Sequence, residues 1–203
     1  MRHLRPADYR VMPWKDGGGS TTEIAIEPAG SGLSDPFLWR VSSARVEASG
    51  PFSRFPGYER SLVLLEGAGL LLDIEGQGRQ RLKHPGQVVT FPGDGAVNAA
   101  LVQGPCEDFG VISDPRRVKA VVAWFTLGAN ATWITLAPTT LLFAPWGPVQ
   151  VDPPGVLLNH RECLCFGGSS SEAEAPALGI GTRLGVRAAM GSTPLVVVTF
   201  WPV

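Results

Sequence analysis

The chain has 203 residues and a net charge of -1, so charge gives no reason to expect nucleic acid or an acidic membrane surface as a partner. Its longest apolar runs fall far short of the roughly 20 residues that span a bilayer, and its polar start lacks a signal-peptide core. Three cysteines are too few for a disulfide framework and suit a reducing compartment. We therefore expect a cytoplasmic protein with no membrane association.

Short extended segments separated by turn residues follow one another along the chain, and glycine (25 residues) and proline (18) are both abundant. This pattern predicts an all-β protein. The first predicted strands are 22–27, 38–46, 61–65, 69–74, 80–83, 87–91, 97–102 and 109–112. After the basic connector 114–117, further strands are predicted at 118–127, 131–136, 140–144, 149–151, 155–159, 162–166, 178–181, 185–188 and 195–201.

The two series of strands predict two similar halves, residues 1–117 and 118–203. Within the second half, the segment 167–176 contains little apolar surface to offset the entropy of ordering it. We therefore expect this segment to form a mobile surface loop.

Before the strand predicted at 22–27, an aromatic residue and a cation precede three consecutive glycines. Glycine accepts positive φ, so successive N–H groups can turn toward one anion, with Lys15 supplying charge and Trp14 a rigid wall. A flexible surface loop is the alternative, whereas a phosphate-binding P-loop would need the glycines to open a helix. The candidate binding residues of this segment are Trp14, Lys15, Gly17, Gly18, Gly19, Thr21 and Glu23.

The strand predicted at 38–46 alternates between two faces. Arg40 and Ser42 share one face and can point into a barrel lumen. Arg40 could bind a carboxylate through two parallel N–H bonds, with Ser42 completing the shell. Alternatively, Arg40 forms a structural ion pair with Glu23 or Asp16.

Arg60 stands at the entry to the next strand, where it either reaches the pocket or lies on the solvent face. Three nearby aromatic residues, Phe52, Phe55 and Phe91, are more typical of a barrel core than of a ligand wall.

The candidate metal ligands are sparse. Cys163 and Cys165 would point to one face of a strand, but only His160 lies near them in the sequence, and the three histidines are scattered. We predict buried free thiols, no bound metal and no cofactor.

Two stretches resemble a cupin barrel. Residues 62–72 form a strand, a tight glycine turn and a second strand, and residues 86–94 form a strand that ends in a proline turn. The histidines that bind metal in the metal-dependent form of this barrel are absent. The resemblance thus implies the barrel and argues against metal-dependent oxygenase or isomerase chemistry.

Four separated stretches carry a closer resemblance. They are 13–23, 39–44, 50–60, and 65–67 with 91–94, and they occur in the order typical of the HutD/Ves family. The resemblance covers roughly residues 10–117. It implies a bicupin, with two double-stranded β-helix (cupin) barrels in one chain, and an association with histidine utilisation in bacteria. No reaction is firmly attached to the family, whose suggested role is to bind a pathway intermediate, N-formylglutamate being favoured, and so to moderate the pathway.

The chain departs from the family pattern at two positions. Asp16 stands where asparagine is usual, adding a negative charge that we expect to pair with Lys15 or Arg40. Gly110, in Asp108-Phe109-Gly110, stands where the pattern has Asp-Phe-Asn and removes an amide.

These observations predict a metal-free bicupin that binds a small carboxylate through Arg40, with a homodimer as a possible assembly. Binding outranks catalysis because no cofactor motif or evident nucleophile is present. The alternative is a cofactor-free isomerase or lyase acting on a small organic acid, for which Glu23 and Asp108 are the candidate acid or base groups.

Overall fold

The computed structural model describes residues 1–168 and 178–203. The described part consists of β-strands, their connections and one short 3₁₀ turn at Pro6–Asp8, which confirms the all-β prediction. The loop predicted at 167–176 lies, from residue 169 onward, outside the described residues. Within those residues, no helix is long and apolar enough to cross a membrane.

The strands are, in chain order, β1 (Arg2–Leu4), β2 (Arg10–Pro13), β3 (Gly19–Glu27), β4 (Trp39–Val46), β5 (Gly50–Phe52), β6 (Glu59–Glu66), β7 (Leu70–Ile74), β8 (Gly78–Leu82), β9 (Val88–Pro92), β10 (Val97–Leu101), β11 (Cys106–Ser113), β12 (Val118–Leu127), β13 (Thr132–Thr135), β14 (Thr139–Phe143), β15 (Val149–Asp152), β16 (Val156–Leu158), β17 (Cys163–Phe166), β18 (Arg183–Ala188) and β19 (Thr193–Pro202).

The chain forms two compact units, each built from two sheets. The N-terminal unit, Tyr9–Lys119 with Val203, contains a six-stranded sheet, β2-β3-β4-β11-β6-β9, and a four-stranded sheet, β5-β10-β7-β8. The C-terminal unit, Met1–Asp8 with Ala120–Pro202, contains a five-stranded sheet, β1-β17-β14-β19-β12, and a four-stranded sheet, β13-β18-β15-β16.

The predicted division at residue 117 needs a correction at the N-terminus. Residues 1–8 belong to the C-terminal unit because β1 pairs with β17, with His3 opposite Leu164. The His3 Nε2 atom also lies 2.8 Å from Glu162 Oε2 in the same unit. Both contacts join positions far apart in sequence, which local pattern does not reveal.

A glycine turn connects β6 to β7, as the sequence predicted. Gly67 and Gly69 have φ values of 95° and 105°, in the region that favours glycine. A Cβ atom at Gly69 would lie 1.9 Å from the Leu82 carbonyl oxygen. This turn therefore requires glycine and carries the chain from the six-stranded to the four-stranded sheet of its unit.

One predicted strand, 178–181, is wrong. These residues form a turn in which Thr182 N donates to Gly179 O, and Gly181 has a φ of 86°. The strand begins only at Arg183 because the glycines favour the turn over an extended conformation.

The cysteines behave as predicted. Cys106, Cys163 and Cys165 are buried thiols that form no disulfide bond, and burial raises the pKa of the Cys163 thiol well above its usual value. Among the described residues, no three histidine, cysteine or acidic side chains are grouped as metal ligands. The expectation that the protein binds no metal stays a prediction.

Candidate functional site

A cavity of about 540 Å³ opens in the N-terminal unit, against one face of the six-stranded sheet. Strand register explains which side chains reach it. Across β4, β11 and β6, Ile112 pairs with both Arg40 and Arg60, and Gly110 pairs with Ser42 and Leu62. Alternate residues of a strand share a face, so these pairs and Asp108 lie on the same side of the sheet. The predicted site residues that line the cavity are Trp14, Lys15, Thr21, Arg40, Ser42 and Arg60.

Arg40 forms the structural ion pair that was one of the two interpretations left open by the sequence. Its Nε atom donates to Glu23 Oε2 at 2.7 Å, which is the structural ion pair with Glu23. The side chain is only 5% exposed, and its Nη2 atom is buried without a hydrogen-bond partner among the described residues. Glu23 itself is not part of the cavity wall. The ion pair therefore holds the guanidinium in place while a second N–H group remains unused.

Arg60 reaches the cavity rather than the solvent face. Its guanidinium carbon lies 5.6, 5.3 and 5.3 Å from the ring centroids of Phe52, Phe55 and Phe91, within reach of cation–π attraction. The Nη1 atom donates to Ser53 O at 2.8 Å, and the buried Nε atom has no partner among the described residues. Burial lowers the pKa of Arg60 to about 10, so the group stays cationic at neutral pH.

Of the three aromatic residues around Arg60, one lies in the core of the N-terminal unit and two line the cavity. Phe91 is fully buried in the core cluster of the N-terminal unit, as predicted. Phe52 and Phe55 are partly buried and line the cavity, so for these two the core interpretation is incomplete.

Asp108 is the buried carboxyl group of the cavity. It is 2% exposed, and its Oδ2 atom has no hydrogen-bond partner in the described part of the chain. Burial raises the pKa of Asp108 to about 7, an effect that the positive charge of Arg60 partly opposes and the neighbouring Glu107 reinforces. The sequence suggested Asp108 only as a candidate acid or base and not as a binding residue. No signal of its burial is present in the sequence, because that burial comes from β4 and β6, which pair with β11 on either side.

Trp14 is held as a wall of the cavity. Its Nε1 atom donates to Thr21 Oγ1 at 2.8 Å, and its ring packs edge-on against Phe52 at a centroid distance of 6.1 Å. Lys15 is exposed and contributes a positive charge to the wall of the cavity. Thr21 thus positions Trp14.

The glycine segment does not form the expected anion loop. Gly17 N donates to Trp14 O at 3.1 Å and Gly18 N to Asp16 Oδ1 at 3.0 Å, so these amides are already occupied. None of the three glycines lines the cavity. A Cβ atom at Gly19 would lie 2.2 Å from the Arg45 carbonyl oxygen, so close packing against β4 requires glycine there. The segment is a turn that joins β2 to β3 and places Trp14 in the wall of the cavity.

Both departures from the family pattern lie in the cavity wall. Asp16 caps the Gly18 amide, and Arg40 pairs with Glu23, so the expected pairing of Asp16 with Arg40 is wrong. At Gly110 a Cβ atom would make ordinary contact with Ser42 Oγ at 3.5 Å and with Asp108 Oδ1 at 3.8 Å. The glycine therefore leaves open space on the floor of the cavity.

The chain is similar to known proteins over more than half of its length. The HutD family model matches residues 6–181, well beyond the motifs in residues 10–117. An uncharacterised 21.2 kDa protein from the hutC 3' region of Pseudomonas putida is 41% identical over 152 residues, covering 75% of this chain and 77% of that protein. Protein Ves of Citrobacter koseri is 38% identical over 119 residues, covering 57% and 60%.

Solved structures give the same relationship. HutD from Pseudomonas fluorescens SBW25 is 34% identical with a TM-score of 0.79, covering 100% of this chain and 98% of that one. A Pseudomonas aeruginosa PAO1 protein of unknown function is 35% identical with a TM-score of 0.83, covering 98% of both chains. A Bacillus subtilis oxalate decarboxylase is 9% identical with a TM-score of 0.65, covering 98% and 76%, and shows only that the fold is of the cupin type. The chain belongs to the HutD family, which is associated with histidine utilisation.

Proposed function

We propose that the protein binds a small organic carboxylate in the cavity of the N-terminal unit and thereby moderates histidine utilisation, with N-formylglutamate as the favoured ligand. One observation carries the proposal. Two guanidinium groups on one face of the sheet retain buried N–H groups that have no partner in the described part of the chain, at Arg40 Nη2 and Arg60 Nε.

Unpaired buried donors favour a ligand that brings acceptors. A buried polar group left without a hydrogen bond costs about 1–3 kcal/mol, and a carboxylate oxygen is a strong partner for a guanidinium. The cavity volume of about 540 Å³ lies in the range that small-molecule sites usually have. Its walls combine these polar groups with the aromatic rings of Trp14, Phe52 and Phe55.

The local charges also favour an anion. Arg40 and Glu23 compensate each other as a close ion pair, whereas Arg60 stays cationic. Asp108 compensates Arg60 only in part near neutral pH, because its pKa is raised to about 7. The cavity therefore carries a partial positive charge from Arg60, because the opposite charges of Lys15 and Asp16 in its wall offset each other.

Isothermal titration calorimetry tests the proposal with N-formylglutamate, glutamate, urocanate and an uncharged amide analogue. Arg40→Ala should weaken acid binding at least about tenfold, since one charge-assisted hydrogen bond is worth roughly 1.5–3 kcal/mol. Arg40→Lys should also weaken it, because lysine keeps the charge but not the planar pair of donors.

Arg45→Ala is the matched control. Arg45 lies on the same strand as Arg40 but is exposed, and its Nε atom donates to Glu47 at 2.9 Å. The Arg45→Ala variant should bind each acid with the affinity of the unchanged protein. If the uncharged amide binds as tightly as the acids, or if folded Arg40→Ala keeps full affinity, the proposed carboxylate site is wrong.

A second candidate is a cofactor-free isomerase or lyase that acts on a small organic acid. It is favoured by the raised pKa of Asp108, about 7, which suits proton transfer at neutral pH. Proton NMR in D₂O separates the candidates. An enzyme would exchange a carbon-bound proton of the acid or convert the acid, whereas a binding protein returns it unchanged.

A further inference from the structure

A carboxyl group lies in the wall of the cavity to which we assign an acidic ligand. It belongs to Asp108, which is 2% exposed and whose Oδ2 atom has no hydrogen-bond partner among residues 1–168 and 178–203. In the same part of the chain, Arg40 Nη2 and Arg60 Nε are the cavity's other buried side-chain atoms without a partner, and both are donors. An ionised carboxylate only accepts hydrogen bonds, whereas a protonated carboxyl group can donate one. The protonation of Asp108 therefore decides whether these groups offer a ligand two donors or three.

We propose that the protein takes up a proton when an acid binds in the cavity, and that Asp108 receives this proton. The proposal rests on the proposed function and adds its regulation by pH. Protonated Asp108 is then a neutral donor to the ligand, and the affinity for the acid falls as the pH rises above neutrality.

The register of β11 places a bound acid beside Asp108. Ile112 pairs with both Arg40 and Arg60, and Asp108 lies four residues away on the same face. Gly110 lies midway, about 7 Å from either position at roughly 3.3 Å per residue. It has no side chain, and a Cβ atom there would lie 3.8 Å from Asp108 Oδ1. A ligand that fills this space and accepts hydrogen bonds from the arginines therefore lies against the carboxyl group.

Hydrogen bonding favours a neutral Asp108 in the complex. A carboxylate ligand brings acceptors and no donor, so it leaves the unpaired Oδ2 atom of an ionised Asp108 without a partner. A protonated Asp108 instead donates to an oxygen atom of the ligand. An O–H group that donates to a carboxylate forms one of the stronger hydrogen bonds in proteins.

Electrostatic repulsion acts in the same direction. Burial raises the pKa of Asp108 to about 7 in the free protein, an effect that Arg60 opposes and Glu107 reinforces. A second carboxylate in the same buried site raises the pKa further, because two negative charges there repel each other. The carboxyl groups of an acylated glutamate have ordinary pKa values of about 3.5 to 4.5, and its acylated nitrogen does not titrate. The proton therefore goes to Asp108 rather than to the ligand.

Charged side chains from other elements border the cavity together with Asp108, namely Arg40 on β4, Arg60 on β6, and Lys15 and Asp16 in the turn before β3. Glu23 compensates the charge of Arg40, and Arg60 stays cationic at neutral pH because its pKa is about 10. All of these groups are kept when Asp108 alone is changed, so their own titration is common to both proteins.

On β11 itself, the residues next to Asp108 are also accounted for. Glu107 points to the opposite face of the sheet, where Ser43 Oγ donates to its Oε1 atom. Cys106 shares the face of Asp108, and burial raises the pKa of its thiol to about 12. The thiol therefore stays neutral over the range in which Asp108 titrates.

Calorimetry with N-formyl-L-glutamate counts the proton. Titrations at pH 7.5 in phosphate, HEPES and Tris, which differ in their enthalpy of ionisation, give the number of protons taken up as the slope of observed heat against that enthalpy. The unchanged protein should take up about half a proton or more per ligand, because free Asp108 is mostly ionised at this pH. Its affinity should fall at least about fivefold between pH 7 and pH 9, if the ligand raises the pKa by about one unit or more.

Asp108→Asn is the matched variant. The asparagine side chain has nearly the size of the carboxyl group, is neutral at every pH and can donate from its NH₂ group, as the protonated acid does. The variant should bind N-formyl-L-glutamate without taking up a proton, and its affinity should change less than about twofold between pH 7 and pH 9. At pH 9 it should bind more tightly than the unchanged protein.

The outcomes separate this proposal from the proposed function. Binding by the unchanged protein without proton uptake, and with equal affinity at pH 7 and pH 9, overturns the proposal and leaves the carboxylate site intact. Equal proton uptake by Asp108→Asn assigns the proton to another group and overturns it as well. If N-formyl-L-glutamate does not bind at either pH, the proposed function fails and this proposal with it.

Discussion

The larger sheets of the two units are filled differently at their centres. In the C-terminal unit, Leu142 on β14 pairs with Leu164 and Val197, and all three belong to one buried apolar cluster. In the N-terminal unit, Gly110 on β11 pairs with Ser42 and Leu62. The next row of the same face carries Arg40 and Arg60. The same kind of antiparallel sheet thus supports an apolar core in one unit and, in the other, borders a cavity lined by charged and aromatic side chains.

The apolar row and the polar row have opposite effects on the stability of the fold. Apolar rows contribute free energy on folding, whereas unpaired buried polar groups cost it. In the N-terminal unit, Arg40 Nη2, Arg60 Nε and Asp108 Oδ2 are buried with no hydrogen-bond partner among residues 1–168 and 178–203, and all three residues line one cavity. A ligand that forms hydrogen bonds with these groups would recover that free energy, as expected for a binding site.

The largest expected effect is in the C-terminal core. Leu142→Ala should lower the free energy of unfolding by about 2–5 kcal/mol, because it removes buried methyl groups and leaves a cavity. Urea denaturation measures the loss. Leu157→Ala, a half-exposed leucine on β16 of the same unit, should change stability by only about 0.5 kcal/mol. Equal losses for the two variants would show that the apolar row does not stabilise the unit as described.

The second prediction uses the polar row. The pKa of Asp108 is raised from 3.8 to about 7 in the folded protein, so the unfolded chain releases this proton first as the pH rises. The contribution of Asp108 to stability therefore falls between about pH 4 and pH 7 and is constant above that window. At about 1.4 kcal/mol per pKa unit, the loss is up to about 4 kcal/mol.

Asp108→Asn removes this titration. Urea denaturation at several pH values should show the variant gaining stability relative to the unchanged protein as the pH rises from 4 to 8. The other carboxyl groups titrate in both proteins and cancel in the difference. A difference that does not change with pH would contradict the raised pKa of Asp108.

The third and smallest effect concerns a single glycine of the cavity floor. Gly110 has no positive φ and an added Cβ would make only ordinary contacts, so Gly110→Ala should stabilise the protein by about 0.4–1 kcal/mol. Gly69→Ala is the matched contrast, since its φ is 105° and its Cβ would meet the Leu82 carbonyl oxygen. Thermal denaturation should move in opposite directions for the two variants, and loss of stability in both would contradict the account of Gly110.

Alternation along one strand could be predicted from sequence, whereas contacts across strands could not. The pattern of 38–46 correctly placed Arg40 and Ser42 together, and the strand is observed at Trp39–Val46. The partner of Arg40 among two candidates, and the side to which Arg60 points, depend on the register of β3, β4, β6 and β11. Local sequence carries no direct record of that register.

The anion loop predicted at residues 17–19 was wrong because composition does not distinguish such a loop from a tight turn. Three glycines permit an anion loop, but they are equally compatible with a tight turn and close packing. The position of Gly19 against the Arg45 carbonyl decides between them, and that contact joins residues 26 positions apart. The sequence did not identify Asp108 as a cavity residue for a related reason, because its burial depends on neighbours on other strands.

A crystal structure of the protein soaked with N-formylglutamate would locate the binding site of the ligand. We expect the ligand in the N-terminal cavity, with a carboxylate oxygen within hydrogen-bond distance of Arg40 Nη2 or Arg60 Nε. Ligand density in the C-terminal unit, or in the N-terminal cavity without contact to either arginine, would contradict this expectation.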